Sequence, residues 1–237
     1  MYKKITHTIV EEHYDHPLAP EMKYTMDCNP PVTTQMKYRM NYNLPPRLEE
    51  NNATMQLRLA SRTLFSHFVD SVRNLIMSIT DNSPDQKAIE EQVRKDITAL
   101  SEVVASYYGE TAGKRFDEHL NAIATSLGTI IVAIKNNKSI TEPKAMLEVY
   151  IKELAKLLDS ANMRFWPELT VIGILNKVAD QWIIQATARE KKDYKADLDS
   201  ARIVNEIMVT SSPDGTPSFS GIFANGIIEQ FPEKFKL

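Results

Sequence analysis

Apolar residues recur along most of this chain at alternating spacings of three and four. The clearest run spans residues 116–134. Phe116, Leu120, Ile123, Leu127, Ile130 and Ile134 form one stripe, widened by Ala124 and Ile131, while Glu118, Asn121, Ser126 and Thr129 fall off it. That is one apolar face of an α-helix, broad enough to sit against two or more partner helices. Residues 135–138, Lys-Asn-Asn-Lys, close it with the cations and asparagine that a helix C-terminus favours. Such a helix cannot stand alone in water, so others must cover it.

The same period predicts those others. A helix starting near Asn51 or Asn52 carries Phe65, Val69, Val72, Ile76 and Ile79 on its stripe, with Leu64, Phe68 and Leu75 beside it, and stops at Asp81-Asn82. Ser83-Pro84-Asp85-Gln86 has the form of a capping box with proline at the first helical position. The helix it opens buries Ile89, Val93, Ile97, Leu100, Val104 and Tyr107, and Gly109 is placed to end it in a left-handed conformation. Thr141-Glu142-Pro143 starts a helix with Leu147, Ile151, Leu154 and Leu158 on its face, broken at Asn162-Met163-Arg164. Pro167 starts another, bearing Ile172, Leu175, Ala179, Trp182 and Ala186, which is expected to run with little break into a last long helix over residues 194–208. Residues 211–217 read as a loop, and residues 219–228 as a short helix before a tail anchored by Phe235. The fold class expected is all-α: an antiparallel bundle of long helices over residues 51–237.

The pattern fails before residue 50. That stretch holds six of the twelve prolines, five of the nine tyrosines and half of the ten methionines, with no glycine or phenylalanine. Its prolines at 17, 20, 30, 31, 45 and 46 forbid long helices. It also repeats itself. Met22-Lys23-Tyr24-Thr25-Met26-Asp27-Cys28-Asn29-Pro30-Pro31 is echoed by Met36-Lys37-Tyr38-Arg39-Met40-Asn41-Tyr42-Asn43-Leu44-Pro45-Pro46. In extended chain Met22, Tyr24 and Met26 share one face, as do Met36, Tyr38 and Met40. These six are the expected partner-binding residues of an extended N-terminal arm over residues 1–50. The arm has two uses open to it: a β-paired hairpin on the chain's own helices, or a strap on a neighbouring molecule. A disordered tail is the bland alternative for such composition.

Composition narrows the function classes. Hydrophobic residues make up 43% of the 237, enough for a real core. A net charge of -3 gives no general pull toward nucleic acid. One cysteine, Cys28, excludes an intramolecular disulfide and fits a reducing compartment. No signal-peptide pattern opens the chain, and no run of about 18 apolar residues predicts a membrane span. The expected localisation is virion or cytoplasmic, not secreted. Only seven glycines are present, and neither a G-x-G-x-x-G nor a Walker pattern occurs, which argues against phosphate-cradling loops.

The sharpest candidates for chemistry are His67 and His119, each beside core positions on a predicted helix. With Arg73 and Asp117 or Glu118, they could line a small metal or anion pocket inside a bundle. A histidine so placed is more often structural and hydrogen-bonded to a neighbour. A di-metal bundle site would want Glu-x-x-His pairs, and the sequence has none. His13-x-x-His16 reads as a solvated polar stretch. Cys28 has nothing nearby in sequence to activate it. Arg189-Glu190-Lys191-Lys192 is followed by Asp193, Asp197 and Asp199, which reads as a solvated helix end or turn rather than a nucleic-acid patch. No catalytic residue and no cofactor is expected.

From about Leu59 onward the chain resembles an uncharacterised family of helical-bundle proteins of bacteria and large DNA viruses, often mislabelled as acetylglutamate kinase or glycosyltransferase. The resemblance rests on Phe65-Ser66-His67-Phe68-Val69 with Arg73, on Tyr107-Tyr108-Gly109, and on Glu118-His119-Leu120. It continues in Ser160-Ala161-Asn162 with Trp166, in Asp193-Tyr194 with Asp197, and in the block from Gly226 to Phe235. It implies a bundle and no established activity. Bacterial members place a histidine and a threonine where this chain has Val178 and Trp182, so any polar site of relatives is expected here to be filled by apolar side chains. The function expected is a non-enzymatic structural component of a larger assembly, most concretely a minor capsid or virion protein. Its partners would be other protein subunits, with a homo-oligomer as a further option. The rival expectation is a cytosolic ligand- or metal-binding bundle, with an enzyme as one form of it, using His67, Arg73 and His119.

Overall fold

The structure, a computed structural model, describes residues 52–212 and 214–235. The arm with its repeat, and the pairing expected of it, lie outside the described residues. Those described form seven α-helices and no strand: α1 (Asn52–Asp81), α2 (Gln86–Tyr108), α3 (Glu110–Lys135), α4 (Thr141–Asn162), α5 (Glu168–Glu190), α6 (Tyr194–Asn205) and α7 (Phe219–Gln230). A π-helical turn, Glu206–Thr210, extends α6, and a single 3-10 turn, Pro232–Lys234, follows α7.

The bundle is organised around α3 and α1. α3 packs on α1, α2, α4 and α5, and α1 packs on α2, α3, α5, α6 and α7. The stripe of α3 is buried as its spacing predicts, from Phe116 through Ile131. Ser126, expected off the stripe, is buried as well, because α4 covers that flank of the helix. Phe65, Val69, Val72, Ile76 and Ile79 of α1 are all buried. α7 closes the core: Phe219 and Phe223 both stand edge-on to Phe65.

Three helices end by one device. Asn82 (φ 55°), Asn137 (φ 51°) and Lys192 (φ 59°) turn left-handed after α1, α3 and α5. The next residue then donates its N–H back to a carbonyl in the last helical turn: Ser83 to Ser78 (2.9 Å), Lys138 to Ala133 (2.8 Å) and Asp193 to Ala188 (2.8 Å). These are Schellman closures. The first explains why the expected capping box does not form. Ser83 has already given its N–H to α1, so Gln86 cannot reach back to it. Asp85 stands at the N-cap instead, and the Gln86 amide donates to Glu90 at 2.9 Å. The third closure separates α5 from α6, which the periodicity leaves nearly continuous. α2 and α3 are joined through Gly109 alone, whose φ of 88° is positive as expected but whose ψ of 161° is extended rather than left-handed helical. That geometry turns the chain sharply enough for Gly113 to approach α2, where a Cβ would meet Ala105 Cβ at 2.6 Å.

Candidate functional site

The densest polar cluster joins α1, α5 and α6. Arg73, on α1, faces the buried Asp197 in the first turn of α6 and grips it with both terminal nitrogens, at 2.9 and 3.1 Å. The same Nη1 donates to the Gln185 side-chain oxygen of α5 at 3.1 Å. Arg189, near the end of α5, donates to Asp197 at 3.2 Å and to Asp81 at the end of α1. Its guanidinium also lies 5.6 Å from the Tyr194 ring centre. Burial draws the Arg189 pKa down, but Asp81 and Asp197 outweigh burial and hold it above the ordinary arginine value. Asp197 lies within the first turn of α6, where the helix dipole favours an anion, and Asp193 caps that helix by accepting from the Ala196 N–H at 3.1 Å. Both terminal nitrogens of Arg73 thus serve as ties between helices.

Around this cluster the expected site does not assemble into one place. His67 is exposed on α1, while His119 is half-buried on the flank of α3 that faces α4. Glu153 of α4 is beside it: the Glu153 carboxyl is held below its usual range chiefly by Lys156, with His119 adding to the effect. Arg73 looks the other way, to α5 and α6. Among the described residues no three His, Cys, Asp or Glu side chains gather closely enough to hold a metal ion. Met22, Tyr24, Met26, Met36, Tyr38 and Met40, with Cys28, His13 and His16, lie outside the described residues.

Val178 and Trp182 are buried in the middle of the bundle. With Phe68, Leu120, Ile151 and Leu154 they line an apolar cavity of about 30 Å³. The Trp182 ring stands edge-on to Phe68 at 6.0 Å, and its indole N–H has no protein partner.

A second polar–aromatic cluster gathers where α2, α4 and α7 meet. Trp166 stacks on Phe223 at 5.4 Å and covers Gly226 so closely that a Cβ there would come within 2.7 Å of the indole. Asn162 donates to the Gly226 carbonyl at 2.8 Å, and Gln230 to the Ala161 carbonyl at 3.0 Å. Tyr108 donates to Gln230 at 2.8 Å. Burial pushes the Tyr108 phenol up to about 12, against a smaller lowering by Asn162, so the group stays protonated and serves as a donor. Lys234 lies 4.9 Å from the Tyr107 ring centre, and Phe235 stacks on the same ring at 5.9 Å. The tail is anchored by Phe235, as the sequence predicts.

Comparison with family models, with curated proteins and with solved structures returns no match.

Sequence reasoning missed two groups here. Arg189 belongs to a run read as a solvated helix end, and Glu190, Lys191 and Lys192 are indeed exposed, but Arg189 turns inward to Asp197. Its distance of eight residues from Asp197 matches no intrahelical pairing rule. The other is Asp96 of α2, a buried carboxylate accepting from Ser71 at 2.5 Å and Gln92 at 2.8 Å. Its one legible signal is its place beside Val93, Ile97 and Leu100 on the apolar face of α2. Among the described residues no helix is long and apolar enough to cross a membrane.

Proposed function

We propose that this chain is a non-enzymatic structural component of a larger assembly, allied to the uncharacterised bundle family it resembles. The helical body over residues 51–237 is the rigid part. The arm over residues 1–50, with Met22, Tyr24, Met26, Met36, Tyr38 and Met40, is the tether to other protein subunits. A minor capsid or virion protein is the most concrete form of this reading.

The observation that carries it is how the buried ionic groups are used. Arg73, Arg189, Asp197 and Gln185, with the more exposed Asp81, converge from three helices and hydrogen-bond to one another, while the buried Arg189 Nε–H is left without a partner. Such ties hold helices in register, and buried pairing of this kind fits positional specificity better than turnover. The arm adds a duplicated apolar edge to a body that does not need it for a core.

The test compares the full chain with residues 51–237. The shorter chain keeps the helical signal and melting temperature of the body and is absent from the high-mass particle or complex recovered from the producing cell. A truncated chain that still enters that fraction at the full-length level refutes the tether.

A further inference from the structure

The cavity at the centre of the bundle is closed to water by its chemistry. Apart from the Trp182 indole N–H and the Met208 sulfur, no side chain lining it carries a polar atom. A water there would fall short of the roughly three partners that buried water takes. The rings of Phe65, Phe68, Phe116, Trp182 and Phe219 surround the space. Phe65 and Phe219 stand edge-on at 5.4 Å, and Phe68 and Trp182 at 6.0 Å. Rings so disposed offer an aromatic guest further edge-to-face contacts.

One wall is built differently from the rest. Among the lining side chains Met208 alone is long and unbranched, and it swings about three bonds. It is buried on the one π-helical turn among the described residues, Glu206–Thr210. Such a turn holds one residue more than an α-helical turn and is frequent at functional positions. It ends in strain. Ser211 has φ 73° and ψ 153°, a region that in effect only glycine occupies. Two bonds from the start of α7 pin it there: Ser218 donates its N–H to Ser211 Oγ at 3.0 Å, and the buried Ser220 hydroxyl donates to the Val209 carbonyl at 3.4 Å. Rewinding the π-turn as α-helix passes its extra residue into the following loop. That frees Ser211 from its conformation and turns Met208 away from the cavity by about one residue's rotation.

We propose that the central cavity is a binding site for a small neutral molecule with one aromatic ring, and that Met208 on its π-turn is the movable wall that admits it. With Met208 in place the space of about 30 Å³ is too small for a ring. With Met208 withdrawn, the volume of the thioether chain is added. The proposal uses no residue of the arm and stands apart from the assembly reading.

Benzene is the probe, with the full chain. In benzene-saturated buffer the melting temperature of the wild type is expected to rise by about 2–4 °C, and the Met208 methyl resonance to shift. Val178→Ile adds a methylene to the cavity wall and removes the rise. Met208→Leu keeps the volume but branches the wall, and weakens benzene binding about tenfold. Ser211→Gly tests the turn itself. Glycine holds the strained backbone without cost, so the free protein melts higher while benzene binds about tenfold more weakly. A wild type whose melting temperature does not rise overturns the proposal, as does a rise with the Met208 methyl unmoved. So does a rise that Val178→Ile retains, or a Ser211→Gly variant that binds benzene as tightly as the wild type.

Discussion

Removing the Asp197 carboxylate leaves two guanidinium groups facing each other in a space that is largely closed to water. Asp197 is 2% exposed and its partners Arg73 and Arg189 are 22% and 15% exposed. Breaking a buried ion pair by deleting one partner costs roughly 3–5 kcal/mol, whereas exposed pairs contribute about 1 kcal/mol or less. Asp197→Asn is therefore expected to lower the unfolding free energy by about 3 kcal/mol in urea titration. Asp81→Asn, at a side chain 54% exposed, should lower it by about 1 kcal/mol or less. Equal losses from the two variants contradict the ranking. Tyr108 gives a separate signature in alkali. Its folded pKa of about 12 stands above the ordinary 10.0. The folded and unfolded chains then differ in protonation between those values, where the unfolded chain releases its proton first. The Tyr108 contribution to stability is flat below about pH 10 and is lost as pH rises toward about 12. Tyr108→Phe should flatten that limb in denaturant midpoints read across the range, and an unchanged limb places its source elsewhere. None of these partnerships is written in local sequence. Arg73 and Asp197 are 124 positions apart, and only packing brings them together.

At the scale of elements, hydrophobic period told most of the story and chain reversals told least. The stripes of α1 and α4, and that of α3 apart from the half-buried Ala124 and Ile134, are buried at the positions their spacing assigns, because a broad apolar face has no stable alternative to being covered. Asn82, Gly109 and Asn137 mark their boundaries with residues that such turns favour, and one boundary lacks such a residue. Lys192 adopts a left-handed conformation that glycine or asparagine holds at less cost, and so the stop between α5 and α6 leaves no mark in the sequence. Lys192→Gly should raise stability by about 0.5–1 kcal/mol in thermal or urea unfolding, since the backbone is already in a region glycine reaches freely. Glycines inside helices separate into two kinds. Gly173 of α5 has nothing within 4 Å of a built Cβ, so Gly173→Ala should stabilise by up to about 1 kcal/mol through helix propensity alone. Gly226 of α7 lies under the Trp166 ring, and Gly226→Ala should destabilise by about 1–3 kcal/mol because neither the indole nor α7 can move without opening the core. Opposite signs for these two alanines, measured under one condition, test whether α7 is seated as tightly as Trp166 implies.

For the whole molecule, the question is whether α7 is part of one cooperative body or a flap laid on a finished bundle. Its contacts argue for the former. Phe223 touches Phe65 of α1 at 5.5 Å, Phe116 of α3 at 6.3 Å and Trp166 at 5.4 Å, so it links the first helix, the central helix and the α4–α5 turn. Phe219 joins the lining of the central cavity that Trp182 also faces. The two tryptophans therefore report from different places on one core: Trp166 at that turn, and Trp182 about four turns farther along α5. In single-tryptophan variants, Trp166→Phe and Trp182→Phe, fluorescence from the remaining indole should follow the same urea transition as far-ultraviolet circular dichroism. Phe223→Ala should cost about 3–5 kcal/mol and shift both indole transitions by the same amount, because the cavity it leaves weakens the body as a unit. If the Trp166 signal is lost at lower urea while Trp182 and the helical signal persist, α7 is a detachable latch. The core would then be complete with α1 to α6 alone, and the covering of Phe65 and Phe116 by α7 would be an addition to the fold rather than a condition of it.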